Sequence, residues 1–253
     1  MNLMSRKRKT FSRDNEVILL FHGSSCKIRT ENFDFDRANS NSDFGKAIYF
    51  GLDYGQAVNW AKNFKKGVVN WYAFMVDDAF NDPDIQITVI EDRLEWLDTI
   101  LSFIDGDAVV CSDIIIGDIM DSRTALILRQ YQEMSNDMGI KLRDLDIKTK
   151  RIMIDELKPD VFHQQIAFKT QKALKHVKFI GSMVVTDTNE TKYVDPFEIA
   201  ATISMIISEE DEIPLNDALI NFMQSNTFLD LISKREFRKM DPRDILTLYR
   251  SEV

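Results

Sequence analysis

Phe-His-Gly-Ser at residues 21–24 and Phe-Gly-Lys-Ala-Ile-Tyr-Phe at residues 44–50 decide how this chain folds. The first stretch closes an apolar run, which predicts a buried strand over residues 17–22 that ends at a polar turn. Residues 29–43 are rich in Asn, Asp and Ser and are typical of a loop. The second stretch then predicts another short strand over residues 47–51.

A helix carrying an aromatic residue is expected directly after the second strand, over residues 53–64. This order of strand, strand and helix suits the binding of a nicotinamide ring. Gly23 can offer its backbone N–H and C=O to a carboxamide because no side chain blocks the approach. His22 can hydrogen-bond a ribose hydroxyl, and Tyr49 and Trp60 can sandwich a planar ring.

This ordered set resembles the ADP-ribosyltransferase superfamily, in particular the branch of diphtheria toxin and the poly-ADP-ribose polymerases, known by its His-Tyr-Glu signature. The resemblance implies that NAD is the substrate. It also implies that His22 holds the adenosine-side ribose, that Gly23 holds the nicotinamide amide, and that Tyr49 and Trp60 contact the ring. Two positions depart from the pattern. Ala47 stands where the Tyr strand usually has Gly, and Ala57 stands where the helix often has a Ser that touches the carboxamide.

The chain is most similar to an uncharacterised bacterial ADP-ribosyltransferase-like toxin family. The shared pieces are His-Gly-Ser, Asp-Phe-Gly-Lys at residues 43–46, Gln-Ala-x-x-Trp-Ala at residues 56–61 and Gln-Ile-Ala-Phe-Lys-Thr at residues 165–170. The likeness covers roughly residues 17–182.

The third signature position departs most. The superfamily has a Glu there, which bonds the ribose 2′-hydroxyl and stabilises the positive charge as nicotinamide leaves, whereas residues 163–168 read His-Gln-Gln-Ile-Ala-Phe. A Gln amide can hold a hydroxyl but carries no charge. Gln165 matches the bacterial branch, and Gln164 matches if the strand slips by one residue, which reverses the face. We favour Gln165; the other interpretation is two polar residues on an edge strand.

Each candidate also has an ordinary structural interpretation. His22 alone would be a turn residue, Tyr49 a core residue of a strand, and Trp60 the apolar face of an amphipathic helix. Ser24 either holds the cofactor or only caps the turn. Lys46, and likewise Arg37, is a candidate for the NAD pyrophosphate, with a solvated cation as the alternative. The three histidines stand at no ligand spacing, so no metal site is expected.

The remaining pattern predicts an α+β fold, because strands and helices do not alternate regularly. Further strands are expected at 68–76, 112–119, 165–169 and 177–185, and further helices at 91–104, 123–138 and 150–157. The superfamily resemblance adds two packed β-sheets that form an NAD cleft. We expect a basic N-terminal tail at residues 1–15, a transferase-like domain at 16–186 and an acidic helical domain at 187–253.

The last 67 residues differ in composition from the rest. They hold 14 acidic and 7 basic side chains, a net charge of −7 out of −9 for the chain, and Pro196, Pro214 and Pro242 each predict the start of a helix. This part resembles a small antitoxin-like partner of the bacterial branch. It is expected either to inhibit the transferase intramolecularly or to dock the acceptor or another protein, and both roles stay open.

The predicted function is mono-ADP-ribosyl transfer from NAD to a macromolecular acceptor, with His22, Tyr49 and Gln165 as the expected catalytic residues. A toxin or phage-defence effector is the expected role, and the sequence leaves open whether the acceptor is a protein or a nucleic acid. The alternative is a non-catalytic module that binds NAD or ADP-ribose. The two cysteines show no repeated spacing, which argues against a disulfide scaffold and for a reducing compartment. Together with the lack of a long apolar segment, this predicts a cytoplasmic protein without a membrane partner.

Overall fold

The computed structural model describes residues 11–13, 17–39, 42–106, 111–119, 122–157, 163–185, 196–234 and 236–253. The strands are β1 (Val17–Ser24), β2 (Ile48–Gly51), β3 (Val68–Met75), β4 (Ile87–Val89), β5 (Ile114–Asp118), β6 (Gln164–Phe168) and β7 (Val177–Val184). The helices are α1 (Tyr54–Ala61), α2 (Val76–Asn81), α3 (Arg93–Ile104), α4 (Ser122–Met138), α5 (Ile147–Leu157), α6 (Pro196–Asp211), α7 (Leu215–Met223), α8 (Asn226–Ser233) and α9 (Pro242–Glu252). The predicted α+β class is confirmed, as are the helices near the C-terminus.

The chain forms two compact units that are discontinuous in sequence. The first unit comprises the described parts of residues 1–15, 29–53 and 75–177, and the second comprises the described parts of 16–28, 54–74 and 178–253. The predicted boundaries at 15/16 and 186/187 lie outside the described residues.

In the first unit the strands are neighbours in the order β4-β5-β6-β2. β4 and β5 run parallel, whereas β6 is antiparallel to both β5 and β2. Tyr49 is opposite Ala167, which is opposite Ile115, so these side chains share one face of the sheet. Gln165 lies on the same face, between Gly51 and Gly117.

This face of the first unit packs against α3 and α5. Ile115 and Ala167 pack there with Leu97 and Leu101 of α3 and Met153 of α5, and all five residues are fully buried. α3 begins after Asp92, whose carboxylate accepts the backbone N–H groups of residues 94 and 95. On the opposite face, Phe33, Phe50 and Phe168 stack edge to face.

In the second unit the strands are neighbours in the order β1-β3-β7, accompanied by α1 and α6–α9. An aromatic cluster joins these elements. The ring of Phe197 in α6 lies 4.7 Å from that of Phe21 in β1, 5.1 Å from Tyr54 in α1, 6.0 Å from Trp71 in β3 and 5.4 Å from Phe228 in α8. The helices α6–α9 therefore share their core with the strand that ends in His-Gly-Ser.

The helix starts explain where the sequence patterns succeeded and failed. Pro242 follows the N-cap Asp241 and opens α9, and Pro196 is the first residue of α6, as predicted. Three helices were predicted in this part, but α8 is a fourth among the described residues. It begins after Ser225, whose hydroxyl oxygen accepts the backbone N–H of Phe228 at 3.0 Å.

The prediction also missed α2 and β4, which fill the stretch between β3 and α3. β3 ends at Met75 rather than residue 76 because α2 begins directly there, with Asp77 and Asp78 in its first turn. Among the described residues, no helix combines the length and apolar character that crossing a bilayer requires.

Candidate functional site

The candidate residues fall into two sets, one in each unit. In the second unit, His22, Gly23 and Ser24 form the last three positions of β1. His22 is half-buried, and Ser24 is buried. The turn that follows exposes residues 25–27, and Ile28 after it is half-buried.

The side chain of Asn70 in β3 stabilises this turn through hydrogen bonds. Its fully buried amide donates to the Ser24 hydroxyl at 3.0 Å and to the Cys26 carbonyl at 3.2 Å, and its carbonyl accepts the backbone N–H of Ile28 at 2.9 Å. The Ser24 hydroxyl in turn donates to the Cys26 carbonyl at 2.5 Å. These bonds show that Ser24 caps the turn, one of the two roles that the sequence left open, and its contact with a cofactor stays a prediction.

Gly23 is a glycine because α1 packs directly against it. A Cβ atom placed there would stand 2.4 Å from the carbonyl oxygen of Ala57 and 2.9 Å from the backbone nitrogen of Ala61. Both atoms belong to the helix backbone and cannot move aside without shifting α1. Helix packing therefore requires the glycine, in addition to any contact with a ligand.

Trp60 lies on the outer face of α1. Tyr54, Ala57, Val58 and Ala61 recur at helical spacing and form the buried face, whereas 62% of Trp60 is exposed. The interpretation of Trp60 as a core residue of an amphipathic helix is therefore wrong. An exposed indole has its ring available for a partner.

In the first unit, Tyr49 is half-buried and fixes the turn before β2. Its hydroxyl donates to the Gly45 carbonyl at 2.7 Å and accepts the Phe44 backbone N–H at 2.9 Å. Burial is the main cause that raises the pKa of Tyr49, and the nearby charge of Asp43 raises it further. Tyr49 therefore stays protonated at neutral pH.

The Asp-Phe-Gly-Lys piece at residues 43–46 forms this turn, and its two middle positions have a physical reason. Phe44 has no exposed surface and belongs to the core. Gly45 has a φ of 71°, which favours glycine, and a Cβ there would meet the Phe103 ring at 2.8 Å. The Lys169 ammonium donates to the Phe44 carbonyl at 2.5 Å. Burial lowers the pKa of Lys169.

Gln165 and Gln164 point to opposite faces of β6. Gln165 is 4% exposed, and its side-chain amide donates to the Asp43 carboxylate at 2.7 Å. The Gln164 carbonyl oxygen instead accepts the backbone N–H of Phe11 at 2.6 Å. β6 lies between β5 and β2, so the edge-strand interpretation is wrong. Gln165 lies on the same sheet face as Tyr49 and Gln164 on the other, and the assignment of Gln165 to the signature position stays a prediction.

The two candidate cations for a pyrophosphate are both ion-paired at the surface. The Lys46 ammonium lies 3.3 Å from the Asp36 carboxylate, and the Arg37 guanidinium lies 3.3 Å from that of Asp34. Exposed pairs of this kind contribute little to stability, so either cation can exchange its partner.

Asp43 and Asn70 are the polar residues that the sequence pattern did not single out. Asn70 is embedded in an otherwise apolar strand, and a buried amide of this kind needs several hydrogen-bond partners. The signal for it was one polar residue within residues 68–75. Asp43 was visible only as the first residue of the Asp-Phe-Gly-Lys piece, and its place in a polar loop, where carboxylates are common, gave no reason to assign it a role.

Comparison with known proteins gives the family but not the activity. The family model described as "Protein of unknown function (DUF3990)" matches residues 18–179, more than half of the chain, and the chain therefore belongs to this family. No curated protein and no solved structure matches the chain significantly.

Proposed function

We propose that this member of the DUF3990 family is an NAD-dependent mono-ADP-ribosyltransferase. In the proposed reaction the bond between nicotinamide and ribose breaks, and its electron pair stays on the nicotinamide nitrogen, which leaves as a neutral molecule. The ribose C1′ then carries the positive charge of an oxocarbenium ion. A nucleophilic atom of a macromolecular acceptor attacks C1′ and loses its proton to solvent.

The observation that carries the proposal is the placement of Tyr49 and Gln165 on one sheet face. They stand two positions apart along the register, at Ala167 and Gly51 respectively, and glycines flank Gln165 on both neighbouring strands. A flat aromatic ring and a buried amide on one sheet face suit a stacked ring and a sugar hydroxyl. The Phe44 ring packs over Gly117, where a Cβ atom would stand 2.9 Å from it, so the sugar has to approach Gln165 from another side. Both residues are also fixed by hydrogen bonds, which favours precise positioning of a substrate.

The other candidates take the roles that the superfamily resemblance implies. His22 holds a ribose, Gly23 holds the carboxamide through its backbone, and the exposed ring of Trp60 is the second aromatic contact of nicotinamide. Ser24 supports the cofactor indirectly, since its hydroxyl bonds define the turn after β1. The predicted NAD cleft of two packed sheets is part of this proposal.

An assay of nicotinamide release with matched variants tests the proposal. Wild-type protein is incubated with NAD, alone and with a cell lysate, and free nicotinamide is measured. We expect release above background, its loss in Gln165→Ala and a mild effect of Gln164→Ala, which changes the same residue type on the opposite face. Saturable NAD binding without release in the wild type would instead favour the non-catalytic binding module.

Labelled NAD followed by nuclease or protease digestion identifies the acceptor class, because only the treatment that degrades the acceptor removes the label. A toxin or phage-defence role is proposed with the activity. Expression of the wild type should then slow bacterial growth, and expression of Gln165→Ala should not.

The acidic helices either restrain this activity or dock the acceptor. Deleting them cannot separate the two roles, because Phe197 packs against Phe21 and Trp71 and its loss would expose both. Neutralising the exposed Glu209 and Glu212 keeps the helices in place. Faster NAD cleavage would indicate inhibition, and unchanged cleavage with loss of acceptor labelling would indicate docking.

A further inference from the structure

A carboxylate stands beside the position where the superfamily has its Glu and this chain has a Gln. The Asp43 Oδ2 atom lies 2.7 Å from the Gln165 Nε2 atom. Gln165 is buried and Asp43 is half-buried, so the charge is only partly screened by water. The two residues are far apart in sequence, and the fold of the first unit brings them together.

The turn that carries Asp43 is held at several points. The Tyr49 hydroxyl bonds both Phe44 and Gly45, the Lys169 ammonium bonds the Phe44 carbonyl, and the Phe44 side chain is fully buried. The backbone N–H of Gly45 also donates to the Ser42 carbonyl at 2.8 Å, closing the turn. A carboxylate fixed in this way needs little reorganisation when charge develops near it.

The hydrogen bond also determines which way the Gln165 amide faces. A carboxylate accepts hydrogen bonds and does not donate them, so the NH2 group of Gln165 must be the end that faces Asp43. The amide then has its carbonyl oxygen for a ribose hydroxyl, as one oxygen of a Glu would be. Donation to an anion also makes that carbonyl oxygen a stronger acceptor.

We propose that Asp43 and Gln165 together perform the task of the missing Glu, with Asp43 as the positioning residue. This inference rests on the proposed transferase function. Gln165 accepts the ribose hydroxyl through its carbonyl oxygen, and Asp43 orients the amide and supplies negative charge. As the bond to nicotinamide breaks and C1′ becomes positive, this charge lowers the energy of the cation. Asp43 forms no covalent bond and exchanges no proton in this step.

Removing or moving the charge tests the proposal in the full-length protein. Asp43→Asn should lower kcat for nicotinamide release by about 10- to 100-fold and change KM for NAD by less than about threefold. The double variant Asp43→Asn/Gln165→Glu exchanges the two groups, so that the carboxylate stands at residue 165 and the amide at residue 43. It should recover kcat by at least about tenfold over Asp43→Asn, which a purely structural role of Asp43 would not produce.

The single variant Gln165→Glu gives a second readout. It places two carboxyl groups within hydrogen-bond distance, so one pKa rises and the pH profile of kcat gains an ionisation step that the double variant lacks. Asp137→Asn removes an exposed carboxylate from α4 of the same unit and serves as the matched control, with wild-type kcat expected.

The possible failures are distinguishable. A wild type that releases no nicotinamide refutes the transferase and this inference with it. An active wild type with unchanged kcat in Asp43→Asn, or a double variant without recovery, refutes the role of Asp43 alone. Should Asp43→Asn not fold, Asp43→Glu decides, because it keeps the charge and must retain activity for the proposal to stand.

Discussion

In the first unit, Tyr49 and Gln165 are held by hydrogen bonds to one short turn, whereas in the second unit the strand with His22 and Gly23 is backed by an aromatic cluster. Hydrogen bonds depend on direction and fix single atoms. Apolar packing depends on volume and fixes whole elements. We therefore expect the positions of Tyr49 and Gln165 to depend on single polar atoms, and the position of β1 to depend on whole aromatic rings.

The largest effect is expected from Phe197→Ala in the second unit. Phe197 is 3% exposed and contacts aromatic rings from β1, α1, β3 and α8, so its removal leaves a cavity that several elements share. The free energy of unfolding should fall by about 3–5 kcal/mol, as measured by denaturant unfolding. Met205→Ala, on the same helix and 54% exposed, is the control with little change expected. A loss below about 1 kcal/mol for Phe197→Ala would show that the aromatic cluster does not hold the second unit together.

A smaller effect is expected from Tyr49→Phe in the first unit. The variant keeps the ring but leaves the Phe44 N–H and the Gly45 carbonyl without their shared partner. We expect a loss of about 1–2 kcal/mol in the free energy of unfolding, measured in the same way. Tyr131→Phe removes an exposed hydroxyl bond to Glu156 and should cost less than about 0.5 kcal/mol. Equal losses in both variants would mean that the turn is not held by Tyr49.

The smallest effect concerns the response of the first unit to acid. Burial acts to raise the pKa of Asp113, but the Gln86 backbone N–H, Lys172 and the Thr170 hydroxyl outweigh it and lower the pKa below its ordinary value. A lowered carboxyl pKa gives stability that is present above the unfolded value and lost as pH falls through the folded value. Asp113→Asn should therefore be less stable than the wild type by roughly 1 kcal/mol at pH 6.

That difference should begin to shrink below about pH 4, where the Asp113 carboxyl of the unfolded chain becomes protonated, and should disappear once the carboxyl of the folded protein is protonated as well. Denaturant unfolding from pH 3 to pH 6 measures it. Asp230→Asn, which removes an exposed pair with Lys234 in the second unit, should change stability by no more than a few tenths of a kcal/mol. A constant gap for Asp113→Asn across this range would contradict the assignment.

Strands and helices with strong periodicity could be predicted from the sequence. The apolar run that ends at His22 and the stripe of α3 each formed where expected, because burial of one face decides such elements. α2 and β4 could not be predicted, since six- and three-residue elements show too little periodicity. Ser225, the N-cap of α8, was a signal present in the sequence, but the prediction placed helix starts in this part only at prolines and therefore missed it.

The sequence could nominate residues for the candidate site but not their contacts. Tyr49 and Gln165 stood out through the motifs that carry them, whereas their shared face follows from the pairing of β2 with β6. The contact of Gln165 with Asp43 joins residues that are distant in sequence, and no local pattern encodes it. The exposure of Trp60 was equally hidden, because periodicity alone allows an aromatic on either face of a short helix.

The discontinuity of the second unit affects when it can form during synthesis. Phe21, in β1, leaves the ribosome long before its partner Phe197, which lies in α6. At roughly 5–20 residues per second, β1 waits about 9 to 35 s for the ring that backs it. Nascent chains thus expose an apolar strand that chaperones can bind, and any activity that depends on His22 begins only once synthesis has passed α6.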